Sequence, residues 1–389
     1  MNKHRYVISG LGLAIPAGVD LDTIWRTLAE GQPLFQPHEE FSRILVASIG
    51  EEQLDHGLNQ RQLKKLDRFT VLSAVATKAA LEDSSFPLVK ENQDSLGILL
   101  GNCTGGWSYV EPMMYPLYTE GMQAINPYVA TAWFPAAPQG ELSIYHGIGG
   151  YSKTLAGDRL SAGLALEQSL WLLESEVAGA FLVGGAESPL SSLVINAFLS
   201  EEELSTRQQY QPFTDQADGH LLGEGAGIVL VENYERAQQR EANLYAEVVG
   251  IGRAMSLETA IKRCLETANL SADRIDYVLL DGAGNLTADQ EEYRCLGAVF
   301  GDNSRILLSA PKSLYGNLLG ANMAVDIALA CLSFQKQTVL PTYSLTGIVL
   351  PPPCGCHVVG KAISHPLEYI LINGRDREGQ SLAIVLKRL

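Results

Sequence analysis

YSKTLAGDRLSAGLALEQSLWLLESEVAGAFLVGGAE, residues 151–187, is the stretch that decides the fold class. Residues 151–156 predict an extended strand, and the Gly-Asp pair that follows predicts a turn. Leucines at helical spacing over residues 160–173 predict an amphipathic helix, and residues 178–183 predict a buried strand. Many enzymes use a strand, a sharp turn and a helix to present a nucleophile at the helix N-terminus, where the peptide dipoles lower a thiol pKa. The stretch therefore predicts part of an α/β enzyme fold.

Strand and helix patterns alternate along the rest of the chain. Further strands are predicted at residues 6–8, 96–100, 228–232, 245–252, 277–280, 306–309, 369–372 and 382–386. Helices are predicted at residues 20–29, 61–81, 139–145, 257–267, 290–300 and 317–332. This alternation predicts an α/β protein with mostly parallel sheets.

Composition and charge exclude several classes of partner. Hydrophobic residues make up 46% of the 389-residue chain, which is enough to bury a large core. The formal net charge of −16 disfavours nucleic acid and anionic membrane surfaces as partners, and also direct docking of an acidic carrier protein. No segment approaches the roughly 20 uninterrupted apolar residues of a membrane span. The six cysteines are scattered through apolar segments, which predicts reduced thiols in a cytoplasmic protein.

A Cys-Gly-Cys-His sequence at residues 354–357 is the only candidate metal motif in the sequence. A structural zinc needs four ligands, and the sequence offers no second cluster to complete the set. We therefore predict no metal and no other cofactor.

The central stretch resembles the nucleophile segment of the β-ketoacyl synthases, in which a cysteine occupies the turn and GGAE closes the second strand. A longer ordered match covers residues 211–252 and includes GEGAG at residues 223–227. The resemblance extends along nearly the whole chain. It implies a thiolase-like fold of two similar βαβαβαββ halves, residues 1–242 and 243–389, in five layers ordered αβαβα. It also implies a dimer formed through the strand near residues 152–156.

The family's catalytic cysteine and two histidines are replaced in this sequence. The cysteine position falls on Arg159. The HGTGT-like turn reads DGAGN and places Asp281 at the first histidine, and the KSxxGH-like turn reads KSLYGN and places Asn317 at the second. The family's lysine is retained as Lys312, whereas the glycine- and phenylalanine-rich gating loop is replaced by residues 373–381.

These replacements bear on the chemistry, because a guanidinium cannot carry an acyl chain and an aspartate would repel a developing enolate. The resemblance therefore implies a chain-length factor, the non-catalytic partner of an active ketosynthase in type II polyketide synthases. We expect a chain that is not an enzyme on its own but is part of a β-ketoacyl-[acyl carrier protein] synthase heterodimer, with the carrier protein docking mainly on the partner. Aromatic polyketides and polyenes, including aryl polyenes, stay open as products. The alternatives are a malonyl carrier-protein decarboxylase and a purely structural homodimer.

Apolar residues after the glycine-rich turn at residues 101–106 are candidates for the acyl tunnel at the dimer interface. Val110, Met113 and Leu117 share one helical face, which by pattern alone indicates core and by resemblance indicates the tunnel. The full expected set is Trp107, Val110, Met113, Met114, Leu117, Val129, Trp133 and Phe134. A second hypothesis concerns the catalytic positions: because an unpaired buried charge is costly, we expect Arg159 to pair with Asp281, with Asn317 as a further acceptor.

Overall fold

The computed structural model describes residues 5–54, 57–301, 305–347 and 349–389, with the side chain of residue 91 left out. Its strands are β1 Tyr6–Ala14, β2 Gln36–Pro37, β3 Leu45–Val46, β4 Leu96–Gly101, β5 Ser152–Leu155, β6 Ala180–Glu187, β7 Gly225–Asn233, β8 Ala246–Ala254, β9 Tyr277–Leu279, β10 Leu307–Ser309, β11 Thr338–Val339, β12 Cys356–His357, β13 Ile363–Ser364, β14 Tyr369–Arg375 and β15 Ser381–Arg388.

The α-helices of the described residues are α1 Leu21–Ala29, α2 Gln60–Leu63, α3 Arg68–Ser84, α4 Trp107–Glu120, α5 Val129–Ala132, α6 Ala137–His146, α7 Ser161–Glu174, α8 Ser192–Ser200, α9 Tyr234–Gln239, α10 Leu257–Ala268, α11 Leu286–Phe300, α12 Lys312–Tyr315 and α13 Asn322–Lys336. Short 3₁₀ helices cover Glu51–Gln53, Lys90–Ser95, Met122–Ala124, Ala272–Arg274 and Leu319–Ala321.

The strand order shows that the two halves of the chain share one topology. Hydrogen bonds order the main sheet as β12-β10-β9-β14-β15-β8-β1-β7-β6-β4-β5. When the two-residue edge strand β12 is left out and each half is numbered from its own first strand, both halves read, from the edge to the centre, as third, second, fourth, fifth and first strand. The first strands, β1 and β8, meet antiparallel at the centre, where Val7 faces Glu247 and Ile8 faces Ala246. This repeated order is the thiolase-like arrangement that the sequence predicts.

Helices cover the outer faces of the two halves of the main sheet, and further helices lie between these two halves. Helix α13, whose residues from Asn322 to Phe334 are all buried, contacts β6 and β7 of the first half and β14 of the second. Helix α7 packs beside it on β4 and β6. On the outer faces, α3 covers β1 and β7, while α10 covers β8 and β15. The predicted five-layer αβαβα architecture is therefore confirmed, with α7 and α13 forming the central layer.

Two predictions differ from the structure. The main sheet is not mostly parallel, because five of its ten strand pairs in the described residues are antiparallel. The helix predicted over residues 61–81 is divided into α2 and α3, because the Asp67 carboxylate accepts the Phe69 N–H at 3.0 Å and starts a new helix.

Among the described helices, none combines the length and the apolar character needed to cross a membrane. The division of the chain at residues 242 and 243 and a cytoplasmic location both stay predictions.

Candidate functional site

The turn before α7 places Asp158 and Arg159 at the start of the central layer. Asp158 has a φ of 50°, a left-handed conformation that an aspartate adopts more readily than most residues. Its carboxylate accepts hydrogen bonds from the Arg377 N–H at 3.0 Å and from the Cys103 thiol at 3.2 Å. The N-cap residue of α7 is Leu160, so Asp158 does not cap this helix through its side chain. Asp158 instead joins the turn to the segment carrying Arg377.

Arg159 forms its ion pair with Glu203, which follows α8. The two side chains are 15% and 17% exposed, so the pair is mostly buried. The hypothesis that Arg159 pairs with Asp281 is therefore wrong. The need for a partner was predicted correctly, but a carboxylate 44 residues further along the chain supplies it.

Asp281 has a different partner, Arg375 at the end of β14. The Asp281 Oδ2 lies 2.9 Å from Arg375 Nε, and both side chains are 14% exposed. The second carboxylate on this guanidinium is Glu292 Oε2, at 3.3 Å from Nη2. Burial by itself lowers the pKa of Arg375, but the charges of Asp281 and Glu292 outweigh it and the net direction is upward. Arg375 therefore stays charged between two carboxylates.

Asn317 lies apart from this ionic cluster. Its side-chain oxygen accepts the Leu319 N–H at 2.9 Å and the Asn322 amide at 2.6 Å, which fixes the loop before α13. The expectation that Asn317 is an acceptor for Arg159 is thus wrong. Lys312 is fully buried and lies 3.1 Å from the carboxylate of Asp326.

The segment that replaces the family's gating loop forms a hairpin turn between β14 and β15. Its Arg377 contacts the carboxylates of Asp158 at 3.4 Å, Glu201 at 2.8 Å and Glu203 at 3.3 Å. A cavity of about 510 Å³ lies at this place and is lined in part by Arg159, Asp281, Arg375 and Arg377. The structure therefore brings Arg159 and Asp281 to one cavity, but gives each its own partner. The charged Arg-Asp-Arg-Glu sequence of the turn was the available signal for Arg375 and Arg377.

Cys103 contacts the turn that corresponds to the family's nucleophile turn, because its thiol donates to the Asp158 carboxylate. Burial, together with the negative charges of Glu187 and Asp158, raises the pKa of its thiol. The Glu187 carboxylate accepts the backbone N–H groups of Cys103 and Thr104 and holds this turn in place. A thiol in this environment stays protonated at neutral pH and does not offer a thiolate.

An apolar cavity of about 260 Å³ lies on the other side of the glycine-rich turn, against α4 and α5. Its lining residues are Trp107, Val110, Met113, Met114, Leu117, Ile125, Val129, Ala130 and Trp133. The structure thus brings together all of the apolar residues singled out in the sequence except Phe134, which is 54% exposed and does not line the cavity. Ile125 and Ala130 were missed, although the spacing of Ile125 from Val129 is that of helical neighbours.

The Cys-Gly-Cys-His sequence has a structural role at its histidine. Both ring nitrogens of the buried His357 contact hydroxyl groups, those of Tyr293 and Thr342. Burial lowers the pKa of His357 to about 3, so the ring stays neutral. Among the described residues, no group of three or more His, Cys, Asp and Glu side chains is arranged to hold a metal ion.

Comparison with known sequences places this geometry in a family. Residues 3–237 match the Beta-ketoacyl synthase, N-terminal domain, and residues 247–346 match the Beta-ketoacyl synthase, C-terminal domain. The chain belongs to the β-ketoacyl synthase family. The predicted family is confirmed, and the match covers both halves of the fold.

Curated relatives span the whole chain. A 3-oxoacyl-[acyl-carrier-protein] synthase 2 from Staphylococcus aureus (strain COL) is 25% identical over 410 residues, covering 99% of this chain and 99% of the relative. The protein of the same name from Coxiella burnetii is 27% identical over 416 residues, covering 100% of both. Both relatives are named as synthases, that is, as enzymes. The expectation that this chain is not an enzyme on its own is therefore wrong by this comparison.

Solved structures share the fold over the full length. A β-ketoacyl synthase from Burkholderia phymatum STM815 superposes with a TM-score of 0.90 at 23% identity, and each chain is covered completely. The ishigamide ketosynthase/chain length factor has a TM-score of 0.86 at 20% identity, also with complete coverage of both chains. A type II polyketide ketosynthase in complex with its acyl-carrier protein has a TM-score of 0.85 at 21% identity, covering 99% of each chain.

Proposed function

We propose that this β-ketoacyl synthase family member works in acyl-chain elongation as the chain-length subunit of a ketosynthase pair. In this proposal the apolar cavity against α4 receives the end of the acyl chain that the pair elongates. The proposal covers fatty-acid-like and polyketide elongation, with aromatic and polyene products, including aryl polyenes, both open. The observation that carries the proposal is that apolar side chains alone line the cavity against α4. A long acyl chain needs a binding cavity without polar groups.

Exposed apolar side chains near the cavity support a partner at this face. In the segment that leads from α4 to β5 the exposed residues are Tyr115, Tyr118, Met122, Tyr128, Trp133, Phe134, Ile144, Tyr145 and Tyr151. Apolar exposure on this scale is typical of a protein interface. Strand β5 forms the edge of the main sheet, so a partner strand could extend the sheet there.

The residues at the family's catalytic positions support a role within a pair. Arg159 occupies the nucleophile position and is held by Glu203, and a guanidinium cannot form the acyl thioester that condensation uses. The decarboxylase alternative needs polarising side chains at the histidine positions, where Asp281 and Asn317 are engaged with Arg375 and Asn322. The net charge of −16 supports docking of an acidic carrier protein mainly on the partner.

The test measures product length in a reconstituted pair. The chain is co-purified with a ketosynthase that retains the catalytic cysteine, supplied with malonyl carrier protein, and the products are measured by mass spectrometry. Leu117→Ala enlarges the cavity and should lengthen the products, whereas Ala130→Leu fills it and should shorten them. The matched control is Thr119→Ala, since Thr119 lies on the same helix, is exposed, does not line the cavity and is not one of the exposed apolar residues of the proposed partner face.

Folding must be checked for each variant, because removing a packed leucine side chain costs about 2–5 kcal/mol. Unchanged product lengths across folded cavity variants would reject the tunnel role. A native mass measurement decides the pairing: a chain that stays a homodimer in the presence of the ketosynthase would support the structural alternative instead.

A further inference from the structure

Asp67 is a buried carboxylate at the junction between α2 and α3. It is 1% exposed, and its Oδ1 accepts the Phe69 N–H at 3.0 Å as the N-cap of α3. The guanidinium next to it, that of Arg68, is directed to Glu224, with Nη2 2.8 Å from Glu224 Oε1. The hydrogen bonds that hold the Asp67 carboxyl group therefore come from backbone N–H groups.

The second oxygen of Asp67 reaches a different helix. Asp67 Oδ2 accepts the Tyr109 N–H at 2.7 Å, in the first turn of α4. The N-cap residue of α4 is Gly106, which has no side chain to cap the helix itself. A Cβ on Gly106 would lie 2.9 Å from Asp67 Cβ and 2.4 Å from the Ala132 carbonyl oxygen. The absence of that carbon allows one carboxylate to cap two helices.

Helix α4 needs this anchor more than an ordinary helix does. Pro112 and Pro116 lie inside it, and each removes one backbone hydrogen bond from the helix interior. Other hydrogen bonds at this end run from the Tyr109 hydroxyl to the Lys64 carbonyl oxygen at 2.8 Å, from the Gly106 N–H to the Trp133 carbonyl oxygen at 3.0 Å and from the Ser108 hydroxyl to the Ser188 carbonyl oxygen at 3.5 Å. The same helix carries much of the wall of the apolar cavity, including Met113 and Leu117.

We propose that Asp67 is a positioning residue that fixes the N-terminus of α4 and thereby sets the shape of the apolar cavity. The proposal rests on the function proposed above for that cavity. Asp67 itself does not line the cavity and acts only through α4. Loss of the Tyr109 contact lets the first turn of α4 fray, so the cavity wall becomes mobile and the products become more varied in length.

The experiment separates the two caps. In Asp67→Ser the short hydroxyl can still cap α3 but cannot reach α4, whereas in Asp67→Asn the amide group presents a donor to one of the two N–H groups. The matched control is Asp83→Asn at the other end of α3, where the Asp83 carboxylate accepts the Leu11 N–H at 2.8 Å and the Tyr245 hydroxyl at 2.9 Å.

The first measurement is hydrogen exchange of the purified full-length chain. We expect Asp67→Ser to raise amide exchange in the first turns of α4 by about tenfold and to leave α3 nearly unchanged. Asp83→Asn should not change exchange in α4. If exchange in α4 is the same in wild type, Asp67→Ser and Asp67→Asn, Asp67 is not an anchor of this helix and the inference is overturned.

The second measurement is product length in the ketosynthase pair, with Leu117→Ala as the direct cavity variant. A broader product distribution in Asp67→Ser, but not in Asp83→Asn, supports the inference, because general loss of stability would affect both variants. A shift in Leu117→Ala without any change in Asp67→Ser overturns it. No shift in either variant rejects the proposed function, and the exchange measurement then decides the anchoring role of Asp67 by itself.

Discussion

The carboxylate of Asp281 accepts a hydrogen bond from Arg375 Nε at 2.9 Å, across 94 residues of sequence. The contact joins the turn after β9 to the end of β14. It leaves Arg159 to pair with Glu203, so the charges at these two positions of the family's catalytic set are neutralised separately. Either residue, Arg159 or Asp281, can therefore be substituted without removing the ion-pair partner of the other.

This pairing predicts the result of a double-mutant cycle. We expect Asp281→Ala and Arg375→Ala to be coupled by about 1–3 kcal/mol in the free energy of unfolding, because both side chains are mostly buried. The cycle that combines Asp281→Ala with Arg159→Ala should show clearly weaker coupling. Urea unfolding of the four proteins in each cycle provides the measurement. Stronger coupling to Arg159 than to Arg375 would contradict the structure.

The two arginines of the hairpin should differ in their effect on stability. Arg375 is 14% exposed and holds the fully buried Glu292, whereas Arg377 is 41% exposed and contacts the 56% exposed Glu201. We expect Arg375→Met to destabilise the protein by about 3 kcal/mol or more, since it leaves buried carboxylates unpaired. Arg377→Met should cost at most about 1 kcal/mol, and high salt should reduce that cost. Equal losses in the free energy of unfolding for the two variants would show that the burial of each arginine does not determine its contribution to stability.

The fold could be predicted from sequence because its signals are local. The strand, turn and helix of residues 151–187 appear in the structure as β5, α7 and β6, and the strand order repeats as the resemblance implies. Local spacing predicted that Val110, Met113 and Leu117 share one helical face, which they keep despite two prolines in α4, whereas the family resemblance predicted that this face lines a tunnel. Phe134 does not line the cavity, because adjacent residues on a helix or turn point in different directions, and its place at an interface stays a prediction.

The ionic contacts could not be predicted in the same way. The partners of Arg159 and Asp281, Glu203 and Arg375, come from segments distant in sequence, and nothing local indicates which carboxylate each guanidinium meets. The expected pair of Arg159 and Asp281 was inferred from the family, in which the catalytic positions lie close together. Long charged side chains reach several ångströms, so convergence of the backbone does not fix the partner. The replaced gating loop, which supplies Arg375 and Arg377, was the decisive segment.

The open edge of β5 gives a prediction about assembly. Tyr151 O accepts from Ile98 N at 3.1 Å and Leu155 O from Asn102 N at 3.2 Å, so Ser152 and Thr154 direct their backbone groups to the open edge. Thr154→Pro removes one outward N–H and should raise the dissociation constant of the pair by about tenfold. Thr154→Ala, which keeps that N–H, is the control. Equal affinities of the two variants by analytical ultracentrifugation would argue against pairing through this edge.

Three buried carboxyl groups give the protein a characteristic pH dependence. Burial is the main cause that raises the pKa of Asp67, Glu187 and Asp289, each to about 7. At a pH above the pKa of an ordinary carboxyl group and below 7, each of these three groups is protonated in the folded protein and ionised in the unfolded chain. The stability each group contributes is complete below its unfolded pKa and is lost as the pH rises through 7. Each should lower the free energy of unfolding by about 1.4 kcal/mol per pH unit in that window.

Glu187→Gln isolates one of these groups, because glutamine has nearly the same shape and does not titrate. Glu187 accepts the Thr104 hydroxyl at 2.6 Å and its N–H at 3.2 Å, and an amide can satisfy only part of this arrangement, so the variant can lose stability at every pH. The slope of stability against pH is therefore the decisive quantity. Urea unfolding at pH 5, 6 and 7 should give a slope that is shallower by about 1.4 kcal/mol per pH unit in Glu187→Gln and unchanged in Glu266→Gln, on the exposed face of α10. If the slope of Glu187→Gln equals that of wild type, the Glu187 proton is already lost in the folded protein below this window. The carboxylate would then be held as an anion by the Cys103 and Thr104 N–H groups.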